Sequence, residues 1–149
     1  MKRLLLVFTL LILVACTQQP LKLTTVFSAN NCGLKETTLT SIERQEQLSA
    51  LLASIPRSFN QPPLALPKID YNDKTVVLYG LGQKPTTGYT IELAGEQARL
   101  SDDTLYVPVR QKPPAKDRFY PQLITSPCSV YSLPKITFST LAIELETGQ

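Results

Sequence analysis

The sequence contains no histidine and no tryptophan, and it has only 1 methionine and 6 glycines among 149 residues. Without histidine, the chain cannot build a Ser-His-Asp or Cys-His catalytic site, a histidine-ligated zinc or haem centre, or an imidazole proton shuttle. Its 12 prolines argue against a helical bundle, because proline breaks helix interiors. With 43% hydrophobic and 18% charged residues, the composition is that of a globular protein of about one domain.

The N-terminus has the pattern of an export signal. A lysine and an arginine precede an apolar run over residues 4–13, which is about half the length that a membrane-spanning helix needs. The run ends in Leu-Val-Ala-Cys, which is similar to a bacterial lipobox, with its cysteine at position 16. We therefore expect a signal peptide over residues 1–15 and acyl chains on Cys16 that anchor the protein in a membrane. The alternative is an ordinary secretory signal that happens to contain a cysteine.

Cleavage at this position lowers the formal net charge from +3 to +1, so the clustered basic surface that nucleic-acid binding needs is absent. The residue after the cysteine is Thr17 rather than aspartate, which in Gram-negative lipoproteins implies sorting to the outer membrane. We therefore expect a lipid-anchored envelope protein that faces the periplasm and has no nucleic-acid partner. Residues 16–22 would form a lipidated tether, and residues 23–149 a single globular domain.

Two further cysteines, Cys32 and Cys128, are an even number in an exported and oxidising compartment, so we expect them to form a disulfide. The bond would close a loop of roughly 100 residues, for which the chain-entropy model gives about 4.7 kcal/mol before native strain. The alternative is two independent buried thiols. A redox-active pair is disfavoured because the Cys-x-x-Cys spacing is missing.

One helix is predicted over residues 41–55, where leucine and isoleucine recur at helical spacing. Thr40 and Glu43 have the form of a capping box at its start, and Pro56 ends it. A proline-rich surface loop follows over residues 56–68. We expect the helix to pack on a sheet rather than to bind a partner.

The rest of the chain alternates short β-type stretches with turn signals, which is typical of a sandwich or an open barrel. The predicted fold class is therefore α+β, mainly antiparallel β in a sandwich or open barrel-like sheet, with one packed helix. Pro108 cannot donate to a strand ladder, so its strand is expected to lie at an edge or to be bulged there. The predicted strands cover residues 23–29, 75–81, 89–93, 97–101, 105–110, 128–133 and 136–145, with a long loop over 111–121.

One turn between two of these strands has a conformation that its own residues specify. Pro85 fixes its own φ, and Gly88 allows a positive φ. Because loop tips on a rigid scaffold commonly bind partners, we expect a partner-binding loop here. The alternative is a plain turn in which Tyr89 packs into the core. The predicted loop is Lys84-Pro85-Thr86-Thr87-Gly88-Tyr89.

Several short motifs occur in order between residues 74 and 135: VVLYGLG at 76–82, KPTTGYTIE at 84–92, Pro-Pro at 113–114, TSP at 125–127 and SLPK at 132–135. Together they resemble the C-terminal domain of the protease complex subunit PrcB family, which are small bacterial envelope lipoproteins. The resemblance implies a β-rich accessory domain that supports the assembly of a surface protease. The family has a Pro-Thr-Gly-Gly-Tyr turn where this chain has Thr87 at the first glycine, so one residue suited to positive φ is absent.

Residues 85–89 also resemble a loop of the chagasin family, which inhibits papain-like cysteine proteases and is built on an immunoglobulin-like sandwich. In that family the loop enters the protease cleft beside a second loop with an Arg-Pro-aromatic signature. This chain lacks that signature but has similar residue types in another order, Arg118-Phe119-Tyr120-Pro121.

The leading functional hypothesis is a non-catalytic, lipid-anchored accessory subunit that stabilises or holds an exported protease or another envelope enzyme. The alternative is a chagasin-like inhibitor that acts through residues 84–89. An exposed edge strand, such as 105–110, offers another way of binding a protein partner.

An enzyme is disfavoured, because the carboxylates that are close in sequence have no neighbours that predict a shifted pKa or a complete metal site. No catalytic residue, metal or cofactor is therefore predicted. A basic loop is expected to be a solvated surface, or else to contact anionic lipid headgroups. The carboxylate pairs are Asp102 with Asp103, Glu92 with Glu96, and Glu144 with Glu146, and the basic loop holds Lys112, Lys116 and Arg118.

Overall fold

A computed structural model of the chain describes residues 20–57, 65 and 67–146. The predicted signal peptide, Cys16, most of the tether and the middle of the proline-rich loop lie outside these residues. The described part is rich in antiparallel strands and has one short helix, which confirms the predicted α+β class. Its elements are β1 Leu21–Lys22, β2 Thr24–Ala29, β3 Thr37–Ile42, α1 Gln45–Ser54, β4 Lys74–Leu81, β5 Thr90–Leu93, β6 Gln97–Ser101, β7 Thr104–Lys112, β8 Cys128–Pro134 and β9 Thr140–Leu145.

The strands form two sheets. The first, here called the β8 sheet, is antiparallel with the order β2-β8-β4-β3. The second, the β7 sheet, has parallel β9 on one side of β7 and antiparallel β5 and β6 on the other. β5 pairs with residues 109–112 and β6 with residues 104–106, so these two strands lie end to end along β7. Strand β1 pairs with the outer edge of β6.

The two sheets face each other and enclose the main core. Successive side chains of a strand point to opposite faces, so every second residue of the central strands enters the space between the sheets. Fully burying such a side chain stabilises the fold by about 1.5–3 kcal/mol. The buried residues at the centre are Val77, Tyr79 and Leu81 of β4, Leu105, Val107 and Val109 of β7, and Tyr131 and Leu133 of β8.

Helix α1 covers the other face of the β8 sheet, where Leu48 and Leu52 join a second buried cluster with Val76 and Val130. The helix was predicted over 41–55 and is observed over Gln45–Ser54. The predicted Thr40–Glu43 capping box is wrong, because Thr40 belongs to β3, which pairs with β4 along its whole length.

The start of the helix is capped by a different side chain. The Gln47 side-chain oxygen accepts hydrogen bonds from the backbone N–H groups of Glu43, at 2.7 Å, and Arg44, at 3.3 Å. Two backbone donors that the helix itself cannot satisfy are thereby paired.

Strand β7 is not an edge, which corrects the expectation drawn from Pro108. The strand has neighbours on both sides, and Pro108 lies where its antiparallel neighbour changes from β6 to β5. The Pro108 carbonyl accepts a hydrogen bond from the Ala94 N–H at 3.1 Å in the turn between those strands. The nitrogen of Pro108, which carries no hydrogen, therefore lies opposite a turn, and no hydrogen bond between strands is lost there.

The outer strands differ slightly from the predicted ones. Residues 135–139 cross from the β8 sheet to the β7 sheet, so β9 begins at Thr140 rather than at 136. Leu21 and Lys22, at the end of the predicted tether, pair with β6 and are part of the sheet. The other predicted strands are confirmed within a few residues at each end.

Candidate partner-binding surface

The predicted partner-binding loop, residues 84–89, joins β4 to β5 at one end of the sandwich, here called the loop end. The loop is tied to the segment between β7 and β8. Backbone hydrogen bonds join Lys84 N to Thr125 O at 2.8 Å and Thr125 N to Lys84 O at 3.0 Å. The Thr125 hydroxyl, which is buried, donates to the Thr86 carbonyl at 3.0 Å.

The two predicted threonines hold this arrangement together. The Thr86 hydroxyl donates to the Pro121 carbonyl at 2.9 Å, and the Thr87 N–H donates to the same oxygen at 3.2 Å. The Thr86 hydroxyl, which the sequence suggests as a partner contact, is therefore engaged within the chain. Its structural role is to fix residues 84–89 against residues 113–124.

Gly88 has the positive φ that the sequence predicted, at +97°. Its hydrogen faces the ring of Tyr120, and a β-carbon at this position would lie 2.4 Å from Cε1 of that ring. Thr87 is not among the positive-φ residues of the described chain, so the second glycine of the family turn is not needed here.

Tyr89 is half-buried and packs against the core between the sheets, as the plain-turn alternative expected. The ammonium group of Lys84 lies 5.7 Å from the centre of the Tyr89 ring, within cation–π range. Of the six predicted residues, Pro85 is exposed and the other five are half-buried, so residues 84–89 alone offer little free surface.

The free apolar surface lies on the neighbouring segment. Phe119 is 91% exposed, Ile124 67% and Leu123 61%, and Lys116 and Arg118 beside them are exposed as well. The sequence predicts a solvated basic loop here and does not indicate that Phe119, Leu123 and Ile124 are exposed. The available signal was their occurrence in a loop rich in proline and lysine. We call residues 84–89 and 113–124 together the loop surface.

A disulfide braces the base of the loop surface. The structure joins Cys32 and Cys128, which are 96 residues apart with their α-carbons 5.9 Å apart, so the predicted pairing is confirmed. Both cysteines are 1% exposed. Next to them, the Ser126 hydroxyl accepts a hydrogen bond from the Leu34 N–H at 2.8 Å.

The carboxylates considered from the sequence have structural roles on the surface. Three of them form exposed ion pairs: Glu92 with Lys112 at 2.6 Å, Glu144 with Arg99 at 3.4 Å, and Glu146 with Arg110 at 2.5 Å.

Asp102 and Asp103 have positive φ values of 48° and 60° in the β6–β7 turn. The Asp103 carbonyl accepts from the Ser139 N–H, at 2.9 Å.

No three metal-ligating side chains come together within the part of the chain that the structure describes. Among these residues there is also no helix with the length and apolar content needed to cross a membrane.

Tyrosine hydroxyls are the perturbed titratable groups near the core. Burial raises the pKa of Tyr79, although a hydrogen bond from the Gln111 side chain at 2.5 Å opposes the rise. Burial also raises the pKa of Tyr131; the Ser129 side chain beside it opposes the rise, whereas Tyr79 and Glu92 add to it. Both rings belong to the buried core between the sheets.

Comparison with known proteins gives one match. Residues 75–134 match the family model described as PrcB C-terminal, which spans β4 to β8 and includes the whole loop surface. No curated protein and no solved structure matches the chain. The matched segment supplies the central strands of both sheets and both loops of the surface described above. Residues 75–134 of this chain are therefore similar to the PrcB C-terminal family.

Proposed function

We propose that this chain is a non-catalytic, lipid-anchored accessory subunit that holds or stabilises an exported protease in the bacterial cell envelope. The family match over residues 75–134 supports a role in a protease complex. The N-terminal run that leads to Cys16 supports export and lipidation. The observation that carries the proposal is the exposed apolar cluster on the loop surface, where Phe119 is 91% exposed.

This cluster has the composition of a protein-binding patch. Three large apolar side chains lie within six residues, and charged Lys116 and Arg118 border them. Exposed apolar patches with a polar rim mark interaction sites on soluble proteins. Burying each side chain against a partner would contribute about 1.5–3 kcal/mol. The rigid base that the hydrogen bonds to Thr125 provide limits the ordering entropy that binding would cost.

The path of the first described strands is consistent with a protein partner rather than a lipid surface. The chain from Leu21 to Ala29 runs along one edge of the sandwich in β1 and β2, a length of about 30 Å at strand rise. Asn31 beyond this run bridges to Ser126 at the loop end. If the chain is anchored before Leu21, the described part of it begins far from the loop surface, and the loop surface would face away from the membrane. Lys116 and Arg118 are then placed to meet a protein rather than lipid headgroups of the anchoring leaflet.

Crosslinking in native membranes tests the proposal. The lipidated protein would be crosslinked, extracted in detergent, purified and analysed by mass spectrometry. The matched samples are wild type, Phe119→Ser/Leu123→Ser/Ile124→Ser, and Leu100→Ser, which removes a side chain that is 37% exposed on β6. We expect one exported protease at near-equal stoichiometry with wild type and Leu100→Ser, and its loss in the triple variant. Recovery of abundant envelope proteins alone would contradict the proposal.

A second candidate function, protease inhibition, is favoured by one specific observation. The chagasin-like residues 85–89 lie directly against the segment 118–121, since Tyr120 covers Gly88. Two adjacent loops could therefore enter a protease cleft together. Nanomolar inhibition of a papain-like protease that is lost in Gly88→Glu would support this function. Absence of inhibition across a panel of such proteases would count against it.

A further inference from the structure

The two sheets are joined along one edge, but only over part of its length. Strand β1 pairs with β6 of the β7 sheet and continues directly into β2 of the β8 sheet. The Leu23 N–H between them donates to the Glu96 carbonyl at 2.8 Å. Beyond this point, towards the loop end, β2 and β5 are edge strands of different sheets. A cleft of about 310 Å³ lies between them, and we call it the edge cleft.

One wall of the edge cleft is β5, whose free side presents backbone hydrogen-bonding groups. The Ala94 N–H donates to the Pro108 carbonyl of β7, and antiparallel pairing alternates in direction at each residue. Thr90 and Glu92 therefore face β7, while the N–H and C=O groups of Ile91 and Leu93 face away from it. Among the described residues, β5 pairs with no strand besides β7. Such an edge is a template for another strand.

The opposite wall and the floor of the edge cleft carry small hydroxyl side chains. Ser28 of β2 and Ser129 of β8 share a hydrogen bond of 2.8 Å between their Oγ atoms. Pro127 and Cys128 complete the lining beside Ser129. Small side chains therefore line this part of the edge cleft, and the two serine hydroxyls suit a small polar side chain of a bound segment.

We propose that the edge cleft binds an extended, proline-free segment of a partner protein, which pairs as an added strand with Ile91 and Leu93 of β5. The four residues of β5 span about 13 Å, enough for up to four backbone hydrogen bonds. A serine- or threonine-sized side chain of the segment would point to Ser28 and Ser129. The edge cleft is separate from the apolar cluster of the loop surface, so this inference does not depend on the proposed function.

Selection from a peptide library tests the inference with the full-length protein in detergent. The probe is a synthetic pool of capped hexapeptides with every residue except cysteine and proline at each position. Ser28→Phe fills the edge cleft at an exposed position, and Thr137→Phe makes the same change at an exposed position remote from it. We expect wild type and Thr137→Phe to retain a common set of peptides. Ser28→Phe would retain them about tenfold less.

The backbone requirement is checked on one selected peptide. Its binding should slow amide hydrogen exchange at Ile91 and Leu93 about tenfold or more, as measured by NMR. Two versions of the peptide, methylated at the odd or at the even amide nitrogens, should differ, because only the set that faces β5 blocks pairing. Equal retention by wild type and Ser28→Phe, the absence of any retained peptide, or undiminished binding of both methylated versions would each overturn the inference.

Discussion

The ring of Tyr120 lies directly over the α-carbon of Gly88, so that a β-carbon at position 88 would come within 2.4 Å of the ring. The contact joins two segments that are far apart in sequence and separated by three strands. Together with the hydrogen bonds from Thr86 and Thr87 to Pro121, it fixes the segment that carries Phe119. The shape of the loop at residues 84–89 thus serves to hold the segment 113–124 in place.

Replacing this glycine should disturb both loops. Gly88→Ala adds a β-carbon at a positive φ and against Tyr120, so we expect the free energy of unfolding to fall by about 1–3 kcal/mol. Denaturant unfolding measures the change. Gly95→Ala is the matched control, because its added β-carbon would meet Pro108 at an ordinary 3.5 Å. Equal losses in the two variants would show that the Gly88–Tyr120 contact has no special role.

The disulfide should contribute strongly to stability. Cys32 and Cys128 close a loop with a separation of 96 residues, and removing a native disulfide of a small exported domain costs about 2–5 kcal/mol. Reduction should lower the Tm of wild type but leave that of Cys32→Ala/Cys128→Ala unchanged. Two free thiols at these positions in unreduced, unfolded protein would contradict the pairing.

Stability should decrease in alkaline solution because of the buried tyrosines. Burial raises the pKa of Tyr79 and Tyr131 above the unfolded value of about 10. The unfolded chain therefore loses these protons first. The contribution of the two protonated phenols to the free energy of unfolding is complete below about pH 10. It is lost as the pH rises through their pKa values in the folded protein.

Tyr131→Phe isolates one of these contributions. Its hydroxyl has no partner among the described residues, so removing it should change stability little at pH 7. Unfolding followed by circular dichroism from pH 7 to 11 should show a shallower alkaline decrease for the variant. A decrease as steep as that of wild type would rule out a contribution from Tyr131.

The helix cap should depend on Gln47 rather than on Thr40. Because the Gln47 side chain accepts from two backbone donors, Gln47→Ala should lower the free energy of unfolding by about 0.5–2 kcal/mol. Glu43→Ala keeps the backbone donor and should change stability by less than about 0.5 kcal/mol. Thermal unfolding of both variants gives the comparison, and a larger effect of Glu43→Ala would restore the predicted capping box.

Local patterns were sufficient to predict most strands and the disulfide. Residues 75–81 were predicted from a run of β-branched and apolar residues, and β4 is observed over Lys74–Leu81. The loop at 84–89 was also found from its own residues, because proline and glycine act on the backbone locally. The disulfide is predicted because two cysteines remain after Cys16 and because exported proteins fold in an oxidising compartment.

Features that depend on long-range pairing could not be read from the sequence. Residues 40–43 matched a helix cap, but β3 is defined by its pairing with β4. The parallel pairing of β9 with β7 likewise depends on the chain crossing between sheets at residues 135–139. Whether Phe119 is exposed depends on which parts of the folded chain lie next to it. Its segment is held in place by the Gly88–Tyr120 contact, which is also long-range. Each of these features depends on contacts between residues that are far apart in the sequence.

The most direct test of the account is the affinity of the purified full-length protein for the protease captured by crosslinking. Binding would be measured by interferometry for wild type, Leu100→Ser and the Phe119→Ser/Leu123→Ser/Ile124→Ser variant. The account predicts equal affinity for wild type and Leu100→Ser, and a loss of at least about a hundredfold in the triple variant with its Tm nearly unchanged. Equal affinity in all three proteins would contradict the assignment of the loop surface as the site of partner binding.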